Sequence, residues 1–497
     1  MKKDIAKNGE YDGFELPDRR GQKGYRDRKM ALQYTCNPID KHRLTSSQWQ
    51  QLNGELNRIF DLGMDKNSLW AISHIDTRLG EVDRFWDNHH LPFSRSDNTA
   101  AHCKQVMNLV DHIFLNANKF ATNKAELDEM RKDAISCAMI HDMGEIIAEG
   151  TTVAQVNAAT AEYKKKWAED KNRIEPKIFA FFLMLLDNIQ QKSVESTPPP
   201  HETTDEYWFI ASEMRGLVDK ITNHREKPVV EAYPALEKWI EENAQTALQG
   251  YKPSPWAERL IALYDVVEHY NEKGDEKYKT EEFARTIAPD FKHIEIKNPS
   301  IIGAVTKTLE RVEGSKYFQR YMSKNTPIRN QNSRDFLGDA RRCEKSIDEI
   351  FSSVDPNSKE QKLLAVETAK FTYKSISRLM IANEIEPINN LGPDVICLDP
   401  KQGTEAISAE ISEKEMSTLD KPAAYITREM LGCIYKAAAS CVDPDLSGGR
   451  AFIPTHKSLI DAYVQGELSP AMLQKAKEEW SYLNGVNSHS GLLRSKQ

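Results

Sequence analysis

The sequence predicts an all-α fold, and three stretches carry that expectation. Lys124 to Glu149 contains no Pro, is rich in Ala, Leu, Met, Ile, Glu and Lys, and places Leu127, Met130, Ala134 and Ala138 down one side. That is the pattern of one long helix. The stretch from Arg95 to Ile113 opens a second, in which Asp97 or Asn98 can cap the first turn and Val106, Leu109 and Ile113 continue the face begun by His102. Ser254-Pro255-Trp256 starts a third, with a capping Ser and a Pro in the first turn, and runs apolar through Leu260 to Val267.

Each of these helices interrupts its apolar face with a polar group. The first carries His141 and Asp142, with Glu145 four residues after the His on nearly the same face of a continuing helix. The second carries His102 in its first turn, and the third carries Asp265. Burying carboxylates on core-facing helices costs several kcal/mol unless a cation or strong donors compensate. A His-Asp dipeptide alone is expected about once by chance in a chain of this length. Its meaning comes from the other two helices.

The order His102, then His141-Asp142, then Asp265 resembles the HD-domain metal-dependent phosphohydrolases, and most closely their 5'-deoxynucleotidase-like branch. There the first His follows an Arg-x-Glu-Asn-type segment and the HD pair is followed by a Glu three residues after the Asp; the matching positions are Arg95, Asp97, Asn98 and Glu145. The resemblance covers residues 70 to 280. It implies an HD-domain helical bundle, here with an enlarged insertion and an additional helical C-terminal domain. His102, His141, Asp142 and Asp265 are then the metal ligands, Glu145 the catalytic residue and Arg95 a phosphate-binding group. Arg84 and Trp86, in Arg84-Phe85-Trp86, match an Arg-Trp element that holds phosphate and base; a Trp at a helix end also packs in cores. Gly150-Thr151 departs from the Gly-Asp of the family, and the interval from Asp142 to Asp265 is longer than in compact relatives. Asp219 is therefore a rival for Asp265, though the apolar lead-in to Asp265 matches the family's final helix better.

Two His and two Asp form an N/O donor set suited to a divalent ion: Mn, Co, Mg, Fe or Zn. The implied reaction is removal of phosphate from a deoxynucleotide, with Glu145 orienting or deprotonating the water and Arg95 offsetting phosphate charge. A solvent-facing Glu145 paired with a Lys is the plain alternative. Triphosphate cleavage under effector control, hydrolysis of an alarmone, and nucleotide binding without turnover remain as other readings.

Composition narrows the class. The net charge is -8 over 497 residues, with both signs abundant, so nothing pulls the chain generally towards nucleic acid or an anionic membrane. The substrate expected is small. Seven Cys form no CxxC pair, and Cys103 and Cys137 fall in the core helices as reduced thiols. Ile178 to Leu186, the longest apolar run, is too short to span a bilayer, so a cytoplasmic protein is expected.

Three regions are expected: a polar arm over 1–44, the phosphohydrolase domain over 45–325, and a helical domain over 326–497 serving assembly, regulation or a protein partner. Interspersed acidic residues argue against nucleic-acid binding by the arm. A capping box at Thr45-Ser-Ser-Gln48 starts a helix striped by Trp49, Leu52, Leu56, Ile59 and Phe60, and further helices span Ser68–Trp86, Pro176–Gln191, Asp205–Asn223, Ser300–Met322 and Lys359–Ile385. His74, His89, His90 and His112 are expected to be structural or solvated. The family's relatives commonly assemble, which implies a homo-oligomer.

Overall fold

The computed structural model describes residues 54, 57–59, 61–79, 98–147, 161–193, 204–223, 229–321, 346–347, 349–382 and several positions between 461 and 471. About 80% of the described residues are helical and none forms a strand, so the fold is all-α. The helices are α1 (Lys66–Leu79), α2 (Thr99–Asn118), α3 (Lys124–Ile140), a 3-10 turn (Met143–Ile146), α4 (Ala161–Lys192), α5 (Asp205–Ile221), α6 (Tyr233–Ala247), α7 (Pro255–Glu268), α8 (Lys279–Ile287), α9 (Pro299–Tyr321) and α10 (Lys359–Ala382). None of them is long and apolar enough to cross a membrane.

The chain divides into two compact units. The first takes Met1–Asn108 with Met130–Gly303, and the second takes Leu109–Glu129 with Ala304–Gln497.

In the first unit α4 is the centre. Every residue from Ile178 to Leu186 is fully buried, and a helix apolar on all sides must be covered on all sides. α1, α5, α6, α7, α8 and the 3-10 turn all pack on α4. The helix is longer than its apolar signal: it begins at Ala161 and passes through Pro176, whose missing N–H removes only one ladder bond. Charged helices missed in the sequence, α6 and α8, bury narrow apolar stripes, Tyr233, Leu236, Ile240 and Ala244 in one and Phe283, Ala284 and Ile287 in the other, and α8 also buries Thr280 and Glu281. Arg173 and Lys177 of α4 reach Glu237 of α6 at 3.0 and 2.7 Å.

The helix starts follow local chemistry. Asn98 Oδ1 accepts the Ala101 amide at 2.8 Å and caps α2, and Asp65 Oδ1 accepts the Ser68 amide at 3.0 Å and caps α1. Ser254 stands at the N-cap of α7 ahead of Pro255, as the sequence implies, yet its hydroxyl donates to Asp187 Oδ1 at 2.7 Å instead of closing the cap. Tyr251 donates to the same buried carboxylate at 2.5 Å, so Asp187 fastens the α7 entry to α4.

The second unit buries Ile113, Phe114, Leu127, Leu309, Val312, Ile350, Leu364, Val366 and Ala369. Glu360 Oε1 accepts from the Thr122 hydroxyl at 2.8 Å and the Asn123 amide at 2.7 Å, which ties the start of α10 to the turn before α3.

Candidate metal centre

The continuous helix expected over Lys124–Glu149 ends at Ile140. His141 and Asp142 form a turn, and Glu145 lies in the 3-10 turn that follows. The cause is a close approach. A Cβ on Gly144 would stand 2.6 Å from Glu175 Cβ, 2.7 Å from Tyr264 Oη and 2.8 Å from the Glu175 carbonyl. Only a glycine backbone fits between α4 and α7 there.

His102 arrives from the first turn of α2 and His141 from the end of α3. Their rings meet edge to face, with centroids 5.1 Å apart. Asp142 Oδ2 lies 3.6 Å from His102 Nε2 and 3.4 Å from His141 Nε2, and all three residues are buried. His141 Nδ1 sits 2.8 Å from the Ala138 carbonyl. A carbonyl can only accept, so Nδ1 carries a proton, and Nε2, which faces Asp142, is the nitrogen left to ligate an ion. Cys103 joins them: its Sγ, a His141 ring nitrogen and an Asp142 carboxylate oxygen lie within 4.8 Å of one another.

Glu145 is buried, not solvent-facing, and it does pair with a lysine. Lys171 of α4 donates to Glu145 Oε1 at 3.0 Å and lies 3.4 Å from Glu175 Oε2. It also lies 5.7 Å from the Trp167 ring centroid. Burial pushes the Glu175 carboxyl up to about 8, with Glu145, Glu268 and Asp142 adding to the rise and Lys171 opposing it. Burial works against the Lys171 ammonium, but the Glu175, Glu145, Asp142 and Glu268 carboxylates outweigh it and raise its pKa well above the ordinary value. The centre therefore gathers four carboxyls around one ammonium, with Tyr233 donating to Glu175 at 3.5 Å.

Among the described residues, Asp265 and Asp219 are the other expected positions, and neither is in a group of closely spaced donor atoms. Asp265 is buried, but its Oδ1 and Oδ2 accept the Thr280 and Glu281 amides at 2.9 and 3.0 Å, at the start of α8. Burial pushes it up to about 7 against those donors. It is in neither of the groups of closely spaced donor atoms found among the described residues. Asp219 pairs with Arg215 at 3.6 Å along α5, and Arg215 donates to the Ile147 carbonyl at 3.1 Å. Arg84, Trp86 and Arg95 lie outside the described residues, as do His89 and His90. His74 is buried against the rings of Trp70, Tyr207 and Trp208. His112 lies 3.0 Å from the Asn116 side-chain nitrogen.

Lys171, Glu175 and Cys103 are the residues that sequence reasoning passed over. Lys171 and Glu175 carried one faint signal, an i,i+4 Lys-Glu pair immediately before the most apolar run in the chain. The donor set His102, His141, Asp142 can hold a divalent ion: all three residues are buried, the Ala138 carbonyl orients the His141 ring, and Asp142 Oδ2 lies within 3.6 Å of both Nε2 atoms. No protein-family model, no curated protein and no solved structure matches this chain.

Proposed function

We propose that the chain is an HD-type metal-dependent phosphohydrolase that removes phosphate from a deoxynucleotide. The observation that supports it is the meeting of His102 from the start of α2 with His141 and Asp142 from the turn that follows α3, beside a Glu145 held by Lys171. His102, His141 and Asp142 would hold the ion, with Asp265 of α7 as the further ligand the family resemblance implies. A bound divalent ion supplies a water of lowered pKa and polarises a phosphoryl oxygen.

The chain's own residues do the rest. Asp142 fixes the mutual position of the two imidazoles, and the Ala138 carbonyl fixes the His141 tautomer. Lys171 anchors Glu145 through Oε1, so that this carboxylate takes the proton of the attacking water from a set position. Glu175, with its raised pKa, holds a proton near neutral pH and limits the repulsion Glu145 feels. Arg95 is assigned the substrate phosphate by the family resemblance.

Product analysis tests this. Metal-free protein is resupplied with Mn, Co or Mg and offered deoxynucleoside mono- and triphosphates and a guanosine alarmone. The expected result is orthophosphate from monophosphates, reduced at least about 100-fold in His141→Ala and Asp142→Ala. Tripolyphosphate would move the assignment to a triphosphohydrolase. Nucleotide binding without any metal-dependent product would replace catalysis with sensing.

A further inference from the structure

Cys103 follows His102 in the first turn of α2, about 100° further round the helix. It is fully buried, and its Sγ shares with His141 and Asp142 a cluster in which one donor atom of each lies within 4.8 Å of the others. A buried thiol by itself is an ordinary core side chain, and Cys137 is one. Cys137 donates to the Leu263 carbonyl at 3.4 Å, and burial, with Asp133 adding to it, raises its thiol well above the ordinary value. Cys103 is distinguished by its company: an imidazole whose Nδ1 is already committed to the Ala138 carbonyl, and a carboxylate seated between two histidines.

We infer that Cys103 supplies a thiolate to the ion held by His141 and Asp142, so that the centre takes a thiophilic borderline ion such as Zn(II), Fe(II) or Co(II) in preference to Mg(II). This rests on the metal reading proposed above. As the Sγ–metal bond forms, the S–H bond breaks and its proton passes to solvent. Thiolate softens a donor set that is otherwise nitrogen and oxygen, and softness is what separates these ions from magnesium.

Cobalt(II) alone is the probe, titrated into the metal-free full-length chain and followed by absorption. The expected spectrum has visible ligand-field bands and, rising in step with them, a sulfur-to-cobalt charge-transfer band in the near ultraviolet. That band is absent in Cys103→Ser and kept in Cys137→Ser. Ligand-field bands with no charge-transfer band in the wild type would overturn the inference and leave the metal reading intact. A charge-transfer band that persists in Cys103→Ser, or disappears in Cys137→Ser, would assign the thiolate elsewhere and also overturn it. No cobalt retained after desalting would overturn both. Where Cys103→Ser fails to fold, Cys103→Ala serves in its place, and a wild-type spectrum without the charge-transfer band overturns the inference whether or not either variant folds.

Discussion

Lys171→Met is expected to destabilise the first unit by about 3 kcal/mol at pH 7.5, the lower end of what removing one partner from a buried ion pair costs. The variant keeps the aliphatic volume and removes the ammonium between Glu145 and Glu175. Both carboxyls are buried, whereas the Lys171 side chain is 21% exposed, so water softens the loss. The deficit depends on pH with a definite sign. Glu175 stands at about 8 in the fold against an ordinary 4.5, so between those values the folded state binds the extra proton. Stability therefore falls as pH rises through that window, and it falls further once Lys171 is gone. Urea unfolding at pH 5.5 should show a smaller Lys171→Met deficit than at pH 7.5, and Glu175→Gln, which imitates the protonated acid, should flatten the wild-type slope. A deficit equal at both pH values would contradict the charge assignment.

Gly144→Ala is expected to cost at least about 3 kcal/mol, the upper end for forcing one extra methyl into a packed site. The atoms it meets are the Glu175 Cβ, the Glu175 carbonyl and the Tyr264 hydroxyl, none the far end of a flexible chain. Tyr264 is stacked on Phe179 with centroids 4.2 Å apart and cannot swing aside without breaking that contact. Relief requires the 3-10 turn to back away from α4, which moves Glu145 off Lys171. Thermal unfolding by circular dichroism should show a lower midpoint. Gly216→Ala, at a helical position where nothing lies within 4 Å of the added Cβ, serves as the control and should leave stability nearly unchanged or slightly raised. Equal midpoints for the two variants would contradict the close-approach account.

The all-α class was legible because helix periodicity and caps are local signals: Asn98 does cap α2, and α7 does start after Ser254. The end of α3 was not, because nothing in Ala138-Met139-Ile140-His141 breaks a helix by propensity. The break comes from α4 and α7 pressing on Gly144, a contact distant in sequence. For the same reason Glu145 could be picked out as polar in an apolar context, while its partner Lys171 could not: it sits in the charged run Lys164 to Arg173 and looks like any solvated face. His102, His141 and Asp142 were legible through their order along the chain. Asp265 was legible as a costly buried carboxylate, and the structure shows two backbone amides from α8 meeting that cost. Cys103 was read as a reduced thiol of a core helix, and only the fold brings His141 and Asp142 to it.

The most direct test is the metal content of the purified chain. Metal-free wild type, His141→Ala and Asp142→Ala proteins are equilibrated with an equimolar mixture of Mn(II), Co(II) and Zn(II), freed of unbound ion, and measured by plasma mass spectrometry, with circular dichroism to confirm equal folding. A stoichiometric divalent ion in the wild type, lost from both folded variants, is the result expected. Wild type without metal, or variants that hold it equally well, would contradict the assignment of His102, His141 and Asp142 as a metal centre.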